Sequence, residues 1–229
     1  MISVVIPTFN AERTLAPTLA SLVPAVVDGL VQEAIIADGG STDETISIAE
    51  AAGTRLVEAD RGRGSQLEAG ASLARADWLL FLHADTVLEQ GWAEEAEAFM
   101  ERIENGRRAP AAAAFRFTLD DDGLMPRIVE GFVRLRCLLL KLPYGDQGLL
   151  IPRSLYNRLG GFRPLPLMED VDLVRRLKRG ELVMLNSRAI TNARRYQQDG
   201  YLSRTLRNLF CIVLYYLRVP ARTLARLYG

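Results

Sequence analysis

Three acidic positions have the surroundings that carboxylate chemistry requires. Asp85 closes the run Leu79-Leu80-Phe81-Leu82-His83-Ala84, whose four large apolar residues after Trp78 read as a buried central strand. A carboxylate at such a strand's end suits a hard divalent cation, Mg2+ or Mn2+, which takes one or two protein carboxylates and completes its shell from water and substrate phosphates. Asp170, with Glu169 beside it, follows Pro164-Leu165-Pro166-Leu167-Met168. A carboxylate aimed into a closed site there can remove a hydroxyl proton. Asp38 precedes Gly39-Gly40, a turn without side chains on which a planar ring can lie while the acid accepts from a nucleobase N–H. Each acid also has a plainer alternative: Asp85 and Glu169-Asp170 as helix caps, and residues 38–43 as a turn with a capping box.

Other groups qualify these sites. His83 is the only histidine; in an apolar run it reads as a packed residue whose ring lines the pocket, not as an imidazole catalyst. Arg63, Arg194 and Arg195 are candidate diphosphate contacts, because a guanidinium offers forked donors to phosphate oxygens.

The elements that must position these groups alternate. Residues 3–7, 33–37 and 54–58 are short apolar runs that read as strands, with helices at residues 14–22, 41–52 and 66–75 leading to the strand before Asp85. This pattern implies an α/β fold with a mostly parallel central sheet and helices on both faces. Asp38 and Asp85 then fall at the carboxyl edge, where ligands bind in open sheets. Further on, residues 91–104 and 126–142 read as helices and 111–119, 149–151 and 182–185 as strands, with a helix from Glu169 to Lys178. Residues 202–217 and 222–228 form C-terminal amphipathic helices. The expected division is one α/β unit over 1–190, with halves 1–105 and 106–190, and a helical appendage over 191–229.

With 229 residues the chain can bury a substantial core, and its 28 basic and 28 acidic residues cancel, so no net field points to nucleic acid. Cys137 and Cys211 lie in apolar helical patterns and read as buried free thiols. Met1-Ile2-Ser3 leads straight into a strand without a basic leader, and the apolar run 209–217 is too short to span a bilayer. The expectation is a cytoplasmic protein whose basic, aromatic C-terminal helices close the core, pair two copies, or lie peripherally on the inner face of a membrane.

In this order, Val4-Val5-Ile6-Pro7-Thr8-Phe9-Asn10, Asp38-Gly39-Gly40-Ser41-Thr42-Asp43-Glu44-Thr45, Phe81-Leu82-His83-Ala84-Asp85-Thr86 and Met168-Glu169-Asp170 resemble the family 2 inverting glycosyltransferases. That family has the Rossmann-like, A-type nucleotide-sugar transferase fold (GT-A). Tyr144-Gly145-Asp146-Gln147, Gly160-Gly161-Phe162, Arg175-Arg176-Leu177 and Arg194-Arg195-Tyr196 further resemble its radical-SAM and selenium-associated subgroup. The resemblance implies that Pro7, Thr8, Asn10 and Asp38 surround base and ribose; Gly39, His83 and Ala84 are further nucleotide-binding candidates beside them. It also implies that Asp85 binds the metal and Asp170 is the catalytic base; Glu169 beside it is the second catalytic candidate, and Arg63 and Arg195 remain nucleotide-binding candidates from their chemistry. The partners implied are a nucleotide-sugar donor and an unidentified acceptor hydroxyl, a lipid-linked one among the alternatives. Two positions depart from the family: Gly39 stands where it often has a second Asp, and His83 where its Asp-x-Asp motif begins. A catalytically inert nucleotide-binding or scaffold protein is the rival reading. Dinucleotide oxidoreductases and nucleotidylyltransferases are disfavoured, because Pro7-Thr8-Phe9-Asn10 replaces their glycine-rich loop.

Overall fold

The structure is a computed structural model and describes residues 1–228, apart from the side chains of Leu140, Arg222 and Tyr228. Eight strands form one sheet: β1 Ile2–Thr8, β2 Val31–Asp38, β3 Arg55–Glu58, β4 Trp78–Phe81, β5 Thr86–Leu88, β6 Ala112–Leu119, β7 Leu149–Pro152 and β8 Leu182–Thr191. Their order is β3-β2-β1-β4-β7-β6-β8-β5. The first four pair in parallel, and β7 joins β4 antiparallel. The sheet is therefore mixed, and β5, from the first half of the chain, pairs with the last strand, β8. Helices α1 Leu15–Ala20, α2 Val23–Val27, α3 Thr45–Ala51, α4 Arg63–Leu73, α5 Trp92–Glu104 and α6 Leu124–Leu140 are followed by α7 Arg153–Arg158, α8 Glu169–Val174, α9 Arg194–Asp199, α10 Tyr201–Tyr216 and α11 Ala221–Tyr228.

The central strands are covered on both faces, which is why they read as continuous apolar runs. Ile2, Val4, Ile6, Leu80 and Leu82 meet Leu15, Trp92 and Phe99 on one side. On the other, Val5, Leu79 and Phe81 meet Leu67, Ala71 and Tyr156. Glycines set how closely α4 approaches. A Cβ at Gly70 would lie 2.4 Å from Val5 Cγ1, and one at Gly64 would lie 2.1 Å from the Arg163 carbonyl. The second contact draws the loop before α8 against the start of α4, bringing Asp170 to the sheet's edge.

Several boundaries differ from the sequence-based expectation. β8 has ten residues where four apolar ones were evident, because the strand bulges at residues 185–187, where Glu95 on α5 accepts the Asn186 and Ser187 amides, and rejoins β6 at Arg188, whose amide Glu89 accepts. α8 stops at Val174 and not at Lys178. Ser41 and Thr42 do not cap α3; Asp43 Oδ1 instead accepts the Thr45 amide and hydroxyl. Both cysteines are buried and free. Among the described residues, no helix is long and apolar enough to cross a membrane.

Candidate active site

β4 ends at Phe81, and the chain turns before β5, with the Thr86 amide donating to the His83 carbonyl. Asp85 thus sits in a turn and caps no helix. Its carbonyl accepts the Asn192 amide (3.0 Å), which ties the turn to the end of β8.

Two cavities meet at this turn. The outer cleft, about 790 Å3, is bordered by Pro7, Thr8, Asn10, Gln66, Ala84 and Arg61, among others. The inner chamber, about 90 Å3, is bordered by Tyr144, Asp146, Asp170, Asn192, Tyr196 and Asn208. Asp85, His83, Arg63 and Arg195 border both. Asp85 and Asp170, far apart in sequence, thus share the inner chamber. Arg194 is exposed outside both cavities.

Asp170 is held by short bonds. Its Oδ2 accepts the Gly145 amide (2.6 Å) and its Oδ1 the Val171 amide (2.6 Å). Met168, just before α8, adopts a left-handed φ of 66°, a conformation uncommon for a side chain of this size and concentrated at functional sites. Glu169 lies in an adjoining recess of about 20 Å3 with Leu67, Phe81, Phe162 and Val174, which Asp170 also borders, and neither of its carboxyl oxygens has a partner. Burial, with the adjacent Asp170 charge, pushes its pKa up to about 7. It does not reach the chamber into which Asp170 faces.

Asp38 and Gly39, expected beside the nucleobase, border neither cavity. Asp38 is only 2% exposed and spends its carboxylate on its own turn. It accepts from Thr8 Oγ1 (2.8 Å), the Gly40 and Ser41 amides (2.9 and 2.7 Å) and Ser41 Oγ (2.5 Å). Burial alone would raise its pKa, but these donors outweigh it and hold the group below the ordinary range. Asn10, with φ 51°, latches the first loop to this turn, donating its amide to Ser41 Oγ and accepting the Thr42 amide through its side chain.

His83 packs beneath Gly145, where a Cβ would lie 2.4 Å from Nε2. Burial, then the Arg63 charge, drives its pKa down to about 3 against the opposing pull of Asp85. The ring is neutral, and its Nε2 has no partner. Asp146 is pushed up to about 6, chiefly by burial, with Asp170 and Asp85 adding to the rise and Arg136 opposing it.

Gln66 was missed in the sequence. Its Nε2 donates to the Thr8 and Ala37 carbonyls (2.6 and 2.8 Å), fastening the tips of β1 and β2 beside the cleft. A Cβ on Gly39 would lie 3.1 Å from that nitrogen, a physical reason for glycine where a second acid is frequent. The signal was Gln on the first turn of a helix opened by glycines. Asn192 and Asn208 were also missed: Asn192 lies two residues before Arg194-Arg195-Tyr196, a signal that could have found it, whereas nothing near Asn208 in sequence marks it.

Residues 3–150 match the family model described as glycosyl transferase family 2. The chain belongs to that family. Among family relatives, the glucosyl-3-phosphoglycerate synthase of Mycolicibacterium paratuberculosis is 37% identical over 95 residues, 38% of this chain and 29% of that protein. The PGL/p-HBAD biosynthesis glycosyltransferase of Mycobacterium bovis is 37% identical over 101 residues, 38% of this chain and 36% of that protein. The chain thus spans about a third of the length of these curated relatives. Glucosyl-3-phosphoglycerate synthase from Mycobacterium tuberculosis, solved with Mg2+ and uridine diphosphate, superposes with a TM-score of 0.61 at 25% identity, covering 91% of this chain and 78% of that one. The same enzyme with Mn2+, uridine diphosphate and glucosyl-3-phosphoglycerate gives a TM-score of 0.65 at 23% identity, covering 96% and 81%, a likeness of fold. The α/β architecture with a sheet between helical layers is therefore that of the GT-A transferases.

Proposed function

We propose that this protein is an inverting glycosyltransferase that moves a sugar from a nucleoside diphosphate sugar to an acceptor hydroxyl. The observation that carries this reading is the placement of Asp85 and Asp170 on one chamber whose outer wall is also the inner wall of a larger, arginine-lined cleft. The cleft suits the donor: Pro7, Thr8, Asn10 and Ala84 border its nucleoside end, and Arg63 and Arg195 its junction with the chamber. The mycobacterial relative solved with Mg2+ and uridine diphosphate supports a uridine donor.

A metal fits the donor set. Among the described residues no cluster of three His, Cys, Asp or Glu side chains forms a cage. A single half-exposed carboxylate beside arginines matches a Mg2+ or Mn2+ ion completed by diphosphate and water. Asp85 would hold it, and such an ion supplies charge neutralisation for the departing diphosphate. The remaining work falls to the chain. Asp170 accepts the acceptor's hydroxyl proton as its oxygen attacks the anomeric carbon, and Gly145 keeps one carboxylate oxygen aimed. Arg63 and Arg195 offset negative charge on the leaving group.

The acceptor end asks for hydroxyl groups. Tyr144 Oη, Asp146 Oδ1 and Asn208 Oδ1 are buried without partners, and all three residues border the chamber. A polyhydroxylated acceptor satisfies such atoms. The phosphoglycerate bound by the mycobacterial relative is one acceptor to compare. Tyr144, Asp146, Arg195 and Tyr196 belong to the segments that resemble the selenium-associated subgroup, so the feature shared with that subgroup would be the acceptor. Residues 1–105 would then supply the donor side, residues 106–190 the acceptor side, and residues 191–229 the closing wall.

Calorimetry with UDP and GDP, with and without Mn2+, tests the reading. Metal-dependent binding of one nucleotide is expected, with the metal dependence lost in Asp85→Ala. No binding under either condition favours the inert scaffold.

A further inference from the structure

Two long helices turn apolar faces to solvent. On α10, Leu206, Leu209, Phe210 and Val213 are all exposed at a spacing that places them on one face, while Arg204, Cys211 and Ile212 point inward. On α6, which packs against α10, Ile128, Phe132, Leu135 and Leu139 form a second such face, while Val129 and Cys137 are buried. Leu138 is 73% exposed. Exposed apolar faces on two helices that pack together mark a docking site.

Charge selects the occupant. Residues 200–229 contain Arg204, Arg207, Arg218, Arg222 and Arg226 and no acid. Residues 124–145 contain Arg127, Arg134, Arg136 and Lys141 against one acid, Glu130, which pairs with Arg127. Of these, Arg134, Lys141, Arg218 and Arg226 are exposed. A second copy of the chain, paired through the same face about a twofold axis, would set these basic margins against each other, with only the already paired Glu130 to offset them. An anionic bilayer meets both features, taking apolar side chains into its acyl boundary and basic ones at its headgroups.

The geometry points to a peripheral membrane-docking face formed by α6 and α10 and rimmed by basic residues, with anionic lipid as its ligand. Helix α10 also contributes Arg204, Asn208 and Ile212 to the inner chamber. Docking through its outer face would hold the chamber next to the bilayer surface.

Co-sedimentation of the full chain tests this without any nucleotide sugar, so the outcome is independent of the proposed transfer reaction. Vesicles of phosphatidylglycerol and phosphatidylcholine in equal parts are expected to bind the chain, and phosphatidylcholine alone to bind it roughly tenfold less. The double variant Leu206→Gln/Phe210→Gln removes only outward-facing side chains. Its circular dichroism is expected to match the parent, and its partitioning to fall by roughly tenfold or more. Absence of binding to the mixed vesicles by the folded parent overturns the proposal. So does a parent that light scattering finds dimeric and that the double variant converts to monomer without change in vesicle binding.

Discussion

The amide of Gly145 donates to Asp170 Oδ2 over 2.6 Å, and the same glycine leaves no room for a side chain above His83. The proposed base is therefore aimed by a turn whose position depends on a missing methyl group. The turn itself is braced by Gln147, which donates to the Phe115 carbonyl (2.9 Å) and accepts from Arg136 (3.2 Å).

Gly145→Ala should accordingly act at a distance from the donor. Its Cβ would fall 2.4 Å from His83 Nε2, so either the turn or the ring must move, and Asp170 loses the partner that fixes its Oδ2. A fall in kcat of about 10- to 100-fold is expected, with donor KM within about threefold of the parent. Steady-state kinetics with the donor varied at saturating acceptor measures the split. An unchanged kcat would mean that this turn does not position the base.

Glu169 gives the fold a pH dependence. Its folded-state pKa of about 7 lies above the ordinary 4.5, so the native state holds a proton that the unfolded chain releases. The stability it contributes is complete below pH 4.5 and is lost as pH rises towards 7. Glu169→Gln, which copies the protonated form, should remove that slope and stabilise the protein above neutrality by on the order of 2–3 kcal/mol. Urea titrations at acid and alkaline pH check this. Turnover near pH 6 should stay within about threefold of the parent, because Glu169 does not border the chamber in which transfer would take place.

Gln66 and Gly39 should be energetically coupled. Gln66→Ala leaves the Thr8 and Ala37 carbonyls without their side-chain donor, at a cost of about 2–4 kcal/mol. Gly39→Ala should destabilise the parent by crowding the amide. The same change should cost less where Gln66 is already alanine. A double-mutant cycle read from urea midpoints measures the coupling, and strict additivity would contradict the contact.

These contacts mark where the sequence stopped being legible. The apolar strands, the acid after β4 and the acid opening α8 were readable because each sits at a boundary between a periodic segment and a turn. The role of Asp38 was not. A carboxylate beside two glycines looks the same whether it faces a nucleobase or, as here, its own turn, and only the hydroxyls of Thr8 and Ser41 decide between them. Asn208 was invisible for a related reason. A polar residue on a helix carries no local mark of which cavity it borders. The polar half of β8 was lost because its support comes from Glu89 and Glu95, about ninety residues earlier in the chain.

The acceptor chamber should be separable from the donor cleft. Tyr144→Phe and Asn208→Ala each remove a buried polar atom that has no partner inside the protein. Each should raise acceptor KM by roughly 5- to 30-fold and leave UDP affinity within about twofold. Kinetics with each substrate varied in turn checks the distinction, and a matching loss of UDP affinity would place these residues on the donor side.

The division of labour between Asp85 and Asp170 is tested most directly by Asp170→Asn, assayed for sugar transfer and, by calorimetry, for UDP binding in the presence of Mn2+. The account predicts a fall in transfer of about 100- to 10,000-fold, with UDP affinity within about twofold of the parent. Parental turnover by this variant, or loss of nucleotide binding in step with activity, would contradict it.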